Sequence, residues 1–471
     1  MDRLLQAVET TDILGDPSSA EILDIDLDSR HVRPGALFCC VVGRVFDGHD
    51  FAPDAVAAGA VGLLVERPLP LAVPQAVLPP GTMRAAMAAV ARALHGDPAS
   101  DLVTVGVTGT NGKTTVTHLI GAVLDAHGVP CTVIGTLDGP RTTPEAPVLH
   151  ALLAEARDSG RKAVAMEVSS HALAEGRVEG IRFQAAVFTN LGHEHLDYHG
   201  TMEAYFEAKA SLFTPSHAEL GIVNADDEWG RRLLGRGAIP MQPFSAADAE
   251  DVVASRDSTS FTWRGQRVTL RLRGTYHVAN ALAAAATASA LGVPDEVVAA
   301  GLSGAAPVPG RFEAVDVPAP FTVVVDYAHT PDGLRTALES ARALAGARRV
   351  LCVFGCGGDR DRAKRPAMGA EAASGADMVV VTSDNPRRED PAAIIDAVLS
   401  GIADRSRVVV EPDRAAAIAL AVARAEPGDV VLLAGKGHER TIETAGRFEP
   451  FDDRLEAARA LRARVGESGS R

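Results

Sequence analysis

The segment that most restricts what this chain can become surrounds residue 110. Val103-Thr104-Val105-Gly106-Val107 is an apolar run with strand character, and the stretch 116–124 has helical spacing. Between them lies Thr108-Gly109-Thr110-Asn111-Gly112-Lys113-Thr114-Thr115. A glycine-rich turn from a buried strand into a helix aims backbone N–H groups and the positive helix end at one point, which makes a cradle for phosphate. Lys113 is placed to reach terminal phosphates, and the Thr114 hydroxyl to bind Mg²⁺. The segment therefore predicts a bound nucleoside triphosphate without saying for what purpose. The strict spacing asks for glycine where this chain has Val107, with Gly106 and Gly109 on either side. A glycine-rich turn with a chance Lys-Thr stays open on pattern alone.

At 471 residues the chain exceeds one ordinary core, and at about 150 residues per domain three are expected. Residues 1–97 mix short strands at 36–42 and 61–65 with Pro-rich turns and an Ala-rich helix at 83–94. Residues 98–309 alternate strands (164–166, 185–188, 220–223) with helices such as 278–291. Residues 310–471 repeat the alternation with strands at 322–325, 350–354, 378–382, 408–410 and 430–434, ending in a frayed tail at 466–471. Alternation of this kind implies parallel sheets covered on both faces. The fold class is α/β in three domains: a first α/β domain, a central phosphate-loop domain, and a Rossmann-like doubly wound domain at the C-terminal end. Ligands in such sheets lie at the carboxyl ends of strands.

A net charge of −15 argues against nucleic acid as a partner, because phosphate-backbone binding needs a basic face. None of the five cysteines forms a Cys-x-x-Cys pair, so reduced thiols are expected. The N-terminus has no signal-peptide pattern, and no run approaches the ~20 apolar residues of a membrane span. A cytoplasmic protein without a membrane partner is expected.

Other clusters carry candidate chemistry. Glu167 ends a buried strand, where a carboxylate is costly unless it meets a cation; it reads equally as a Mg²⁺ ligand or as a cap or local ion pair. The segment 189–199 puts His193, Glu194, His195, Asp197 and His199 within seven residues, which suggests a metal or phosphate site or an exposed polar loop. Lys209 shares a helix face with Tyr205, Phe206, Leu212 and Phe213; composition alone has such a lysine stretch to water. Arg311 follows the second domain break and reads as an arginine facing nucleotide from a neighbouring domain, or as a surface ion pair.

Assembled, these residues resemble the Mur ligase family of ATP-dependent peptide-bond-forming ligases. The resemblance runs from Asp28-Ser29-Arg30 to Phe451-Asp452-Asp453-Arg454, through segments 108–115, 167–173, 195–200, 310–313, 326–334, 354–365, 384–387 and 435–439. It implies that Lys113, Glu167, His195 and Lys209 are catalytic. Lys209 is expected as a carbamate formed with CO₂, joining Thr114, Glu167 and His195 as Mg²⁺ ligands. ATP is expected at Gly109, Thr110, Asn111, Gly112, Lys113, Thr114 and Thr115, with Asn190, Asn280, Arg311, Asp326 and His329 nearby. A UDP-N-acetylmuramoyl dipeptide is expected at Ser29, Thr142, Thr143, Ser169 and Arg177. The Asp384-Asn385-Pro386-Arg387 motif accompanies diaminopimelate in similar enzymes, with Arg360, Gly435 and Glu439 completing that site. Diaminopimelate carries a second carboxylate that lysine lacks, and Arg387 offers it a bidentate partner. The implied protein is a monomer whose domains close on the substrates.

Three departures from the family pattern stand out: His277 in place of the usual Asn, Gly192-His193-Glu194 before His195, and Arg440-Thr441-Ile442 after Glu439 without the usual Gln. They leave room for a relative that joins another amino acid to another carboxylate. A non-catalytic nucleotide-binding module is the rival from another class; the joint presence of Lys113, Thr114, Glu167, His195 and Lys209 weighs against it.

Overall fold

The computed structural model describes residues 1–468 apart from 44, 256 and 257. Its first sheet comprises Asp12–Leu14 (β1), Asp24–Asp26 (β2), Ala36–Cys39 (β3), Ala60–Val65 (β4) and Gln75–Val77 (β5), in the order β1-β5-β4-β3-β2. Only β1 runs antiparallel to its neighbour. The helix Met83–Leu94 buries Met83, Met87, Val90 and Ala91 on one face, as its spacing predicts.

The second sheet is wholly parallel. It comprises Val103–Thr108 (β6), Cys131–Ile134 (β7), Ala163–Glu167 (β8), Phe183–Phe188 (β9), Ala218–Asn224 (β10) and Met241–Phe244 (β11), in the order β11-β10-β9-β6-β8-β7. The chain leaves β8 on one side of β6 and returns as β9 on the other. The crevice of this switch opens at the carboxyl end of β6, where the loop 109–112 sits. Helix Lys113–Ala126 leaves that loop and packs Val116, Leu119, Ile120 and Val123 into one core with the Ala-rich helix Tyr276–Ala290. Small residues let the backbones approach: a Cβ on Gly301, in the neighbouring helix Asp295–Gly304, would lie 2.7 Å from the Val123 Cα. Glu250–Ala254 (β12), Thr259–Trp263 (β13) and Gln266–Leu270 (β14) add a three-stranded antiparallel sheet that the sequence reading lacks. Phe261, Trp263, Val268 and Leu270 alternate inward from it onto the same core.

The third large sheet comprises Glu313–Ala314 (β15), Thr322–Asp326 (β16), Val350–Phe354 (β17), Met378–Val381 (β18), Val408–Val410 (β19) and Val430–Ala434 (β20), in the order β15-β16-β20-β17-β18-β19. All but β15 are parallel. Strands β16, β17 and β20 are almost entirely buried, so their apolar runs are continuous rather than alternating. A hairpin of Thr441–Thr444 (β21) and Arg447–Pro450 (β22) follows. Helix Asp453–Ser468 then runs through positions 466–468 of the expected frayed tail, whose last residues, 469–471, lie outside the described residues. Among the described residues no helix is long and apolar enough to cross a membrane.

Candidate active site

The loop after β6 depends on two glycines. Gly109 has φ 149°, and a Cβ there would meet the Thr189 Oγ1 at 1.8 Å; Gly112 has φ 89°, with the Asn280 Oδ1 2.5 Å from its would-be Cβ. The glycine that the strict spacing asks for at 107 is unnecessary, because Val107 is a buried residue inside β6. The loop is braced by the turn after β9: Thr110 N–H donates to the Asn190 carbonyl at 2.9 Å, Asn111 N–H to the Asn190 Oδ1 at 2.9 Å, and Thr189 Oγ1 to the Asn111 carbonyl at 2.6 Å. Asn190 thus holds the loop itself. Asn280 lies beside Gly112, its Nδ2 3.3 Å from the His277 Nδ1.

Lysines 113 and 209 converge on one acceptor. Lys113 Nζ donates to the Gly109 and Thr110 carbonyls at 2.9 Å each, and Lys209 Nζ donates to the same Gly109 carbonyl at 2.8 Å. Lys209 is 1% exposed and lies 4.7 Å over the Tyr205 ring, so it does not stretch to water as composition alone suggests. Burial, with the Lys113 charge next in weight, holds its amine well below the usual lysine range. The neutral amine is the form that adds CO₂.

Glu167, at the end of β8, is 1% exposed and accepts from the Thr136 N–H at 2.8 Å. Gly135 has to be glycine here, since a Cβ would stand 2.3 Å from the Glu167 Oε1. His195 adopts φ 57°, and its ring meets His171 edge-on at 4.6 Å. Burial pushes its imidazole down to about 3, partly opposed by the Glu194 carboxylate. The ring is therefore neutral, with an electron pair to donate. Among the described residues no group of three or more His, Cys, Asp or Glu is gathered for a metal. A sparse set still suits Mg²⁺, which keeps several waters and takes one or two carboxylates plus substrate phosphates. Glu167 and the Thr114 hydroxyl fit that pattern.

Residues from the third sheet close the site. Arg311 Nη2 donates to the Thr114 Oγ1 at 2.9 Å, and its guanidinium stacks 4.6 Å from the Tyr327 ring. Asp326 accepts from Phe312 N–H at 2.7 Å, Ala328 N–H at 2.8 Å and the Tyr276 hydroxyl at 3.1 Å, so it braces the junction of the second and third sheets. His329 Nε2 lies 2.9 Å from the Glu194 Oε1, across 135 residues of chain. Glu194 is buried, and against the upward push of burial its hydrogen bond with His329 is the foremost contact that holds its carboxyl well below the usual range. The departure at 192–194 thus builds a contact between the two sheets' loops.

One cavity of about 940 Å³ collects nearly all of these groups. Its lining includes Lys113, Thr114, Glu167, His195, Arg311 and Asp326, together with Arg360, Asp384, Asn385, Arg387, Gly435 and Glu439. Gly109, Lys209 and Pro386 lie behind the wall. Thr142, Thr143, Ser169 and Arg177 line the same cavity. Arg177 and Arg141 also border a second cavity of about 1630 Å³ that contains Ser29 and reaches the first sheet. Thr143 Oγ1 donates to the Glu167 carbonyl at 2.9 Å and accepts from Ser169 N–H at 3.0 Å. Arg177 is held by Glu175 at 2.6 Å and Glu145 at 3.1 Å.

The 384–439 part of the lining rests on groups to which the sequence reading gave no role. Lys436 is fully buried, and its Nζ reaches the Asn385 Oδ1 at 3.2 Å and the Glu439 Oε2 at 3.1 Å, while Asn385 Nδ2 donates to Glu439 at 2.7 Å. Arg414, buried with Asp453 at 2.6 Å, donates to the Ser383 and Ala434 carbonyls and so pins the ends of β18 and β20 together. Arg365 pairs with Glu389 at 2.9 Å and holds the Gly357 carbonyl at 3.2 Å. Buried charges in a chain otherwise rich in Ala and Val were the available signal; their partners are remote in sequence.

Known proteins resemble this chain over nearly its whole length. The chain matches the Mur ligase family, catalytic domain, over residues 21–98; the Mur ligase middle domain over 107–288; and the Mur ligase, glutamate ligase domain, over 310–437. It is 45% identical to the UDP-N-acetylmuramoyl-L-alanyl-D-glutamate--2,6-diaminopimelate ligase of Streptomyces avermitilis, covering 95% of this chain and 94% of that protein. It is 44% identical to the enzyme of the same name from Geobacillus thermodenitrificans, covering 94% and 96%. A solved structure of a ligase of that name superimposes with a TM-score of 0.66 at 32% identity over 98% and 99% of the two chains. MurF ligase from Thermotoga maritima, solved in complex with ADP, shares the fold with a TM-score of 0.68 at 20% identity, covering 94% of this chain and 98% of that one. The chain belongs to the Mur ligase family.

Proposed function

We propose that this chain joins diaminopimelate to the D-glutamate carboxylate of UDP-N-acetylmuramoyl-L-Ala-D-Glu, consuming ATP and releasing ADP and phosphate, as a step in making peptidoglycan precursor. The observation that carries the reading is one cavity lined by both the phosphate loop and the residues Asp384, Asn385, Arg387 and Glu439, sharing Arg177 with the cavity at Ser29. Residues 1–97 bind the UDP end, 98–309 the ATP and 310–471 the amino acid. The protein works as a cytoplasmic monomer.

The chemistry follows from the placement. The D-glutamate carboxylate attacks the γ-phosphorus of ATP, giving an acyl phosphate and ADP. Lys113 swings from its loop carbonyls to the γ-phosphate, and Arg311 supplies a second cation beside Thr114. Thr114 and Glu167, with His195 and a carbamate on Lys209, would hold Mg²⁺, which would neutralise charge on the transferring phosphoryl group. Asp384, Asn385 and Glu439 orient the amino acid, and Arg360 and Arg387 take its carboxylates. Its free amine attacks the acyl carbonyl, phosphate leaves, and the amine proton passes to solvent or phosphate. Enclosure between the sheets keeps water from the acyl phosphate.

An amino-acid panel with the UDP-muramoyl dipeptide and ATP tests this. Phosphate release is expected with diaminopimelate and far less with lysine, whose lack of a second carboxylate leaves Arg387 unpaired. No release with any diaminopimelate isomer would refute the reading and favour a relative that ligates another amino acid.

A further inference from the structure

We infer that Glu443 is a positioning residue for the amino-acid site: it aims the Arg387 guanidinium at the ligand carboxylate. The inference rests on the function proposed above and extends it to a residue of the hairpin β21–β22.

Arg387 has φ 52°, a left-handed backbone that an L-residue keeps only when its surroundings enforce it. The enforcing neighbour is Glu443. Arg387 N–H donates to the Glu443 carbonyl at 2.9 Å, and Glu443 N–H donates to the Asn385 Oδ1 at 3.0 Å. The Glu443 carboxylate lies 3.2 Å from the Arg387 Nε. On the far side, Arg387 Nη1 donates to the Gly358 carbonyl at 2.7 Å. These contacts fix the guanidinium plane, and Nη2 makes no hydrogen bond among the described residues. Arg387 lines the cavity, whereas Glu443 lies behind it, off the wall. The arrangement is a cavity-lining cation held at Nε and Nη1 with Nη2 unpaired among the described residues, a group fixed in advance that can receive a carboxylate with little loss of side-chain freedom. The stretch after Glu439, which departs from the family pattern, therefore carries a strand that clamps the Asn385–Arg387 turn.

The test is steady-state kinetics of Glu443→Ala, Glu443→Gln, Arg387→Ala and the Arg387→Ala/Glu443→Ala pair, all with the full chain. Glu443→Ala should raise the KM for diaminopimelate about fivefold, the size expected when one long side chain on a half-exposed pair loses its preorganisation. Glu443→Gln, which keeps shape and an acceptor, should show a smaller rise. The KM for ATP should not move. In the Arg387→Ala background, Glu443→Ala should add nothing, because it acts only through that arginine. An unchanged KM would overturn the inference. So would a fall, which would show Glu443 competing with the ligand, or an additive effect in the double variant. If the unaltered chain releases no phosphate with diaminopimelate, the function itself is wrong; release with an unmoved KM refutes only the role of Glu443.

Discussion

Replacing Lys209 by alanine should lower kcat/KM about 10³-fold, and the structure supplies the reasoning. Lys113 and Lys209 donate to the same carbonyl at 2.9 and 2.8 Å, so their nitrogens lie within about 6 Å of each other. Two ammonium groups at that separation repel by about 3 kcal/mol at an effective dielectric of about 20. Burial and this repulsion keep Lys209 neutral and nucleophilic toward CO₂. A carbamate in its place reverses the sign: the same ~3 kcal/mol becomes attraction to Lys113, at about 1.4 kcal/mol per decade of rate. That accounts for about a hundredfold, and loss of an anionic oxygen ligand to magnesium adds about another decade. The assay is diaminopimelate-dependent phosphate release by Lys209→Ala, with and without added formate or acetate, alongside the unaltered chain in CO₂-stripped and bicarbonate buffers. Short carboxylates should restore part of the variant's activity, and bicarbonate should matter only to the unaltered chain. A variant within tenfold of the original, or one that no carboxylate rescues while the original ignores bicarbonate, would refute the reasoning.

Other outcomes follow from the same geometry. Arg387→Ala should raise the KM for diaminopimelate about 30-fold, the worth of a charge-assisted hydrogen bond from its Nη2, and leave that for ATP nearly unchanged; equal effects would contradict its role. Arg414→Ala should lower unfolding stability by about 3–5 kcal/mol in denaturant titration, since it strands the fully buried Asp453 carboxylate; a loss below about 1 kcal/mol would show the pair to be dispensable. His150 and His277 are buried, with burial pushing their imidazoles down to about 4 and about 3. A depressed imidazole keeps its stabilising effect above the unfolded value near 6.5 and loses it as pH falls toward the folded value. Between pH 7 and pH 5 each should cost about 2 kcal/mol of stability, and His150→Gln should remove its share of that slope in urea titrations at the two pH values.

Much of this protein is contained in contiguous stretches. The phosphate loop needs only a buried strand, two glycines and a helix start, because the N–H cradle and the helix dipole are local properties of adjacent residues. The apolar runs of β16, β17 and β20, and the inward face of the helix Met83–Leu94, follow from periodicity for the same reason. The antiparallel strands β12–β14 escaped because β13 and β14 each carry only two inward apolar residues, Phe261 and Trp263 or Val268 and Leu270, among polar neighbours.

What sequence alone determined, then, was the α/β class and the phosphate-loop motif, with the family resemblance naming candidates for magnesium and a second carboxylate, since those follow from side chains in short motifs. Tertiary structure decided what each group meets. It buried Lys209 against the Gly109 carbonyl, set Glu194 on His329 and aimed Arg311 at Thr114. It also set Lys436 against Asn385 and Glu443 against Arg387. Charge, burial and hydrogen bonding depend on neighbours that the chain brings together from a hundred or more residues away, as with Glu194 and His329. No local pattern records those neighbours.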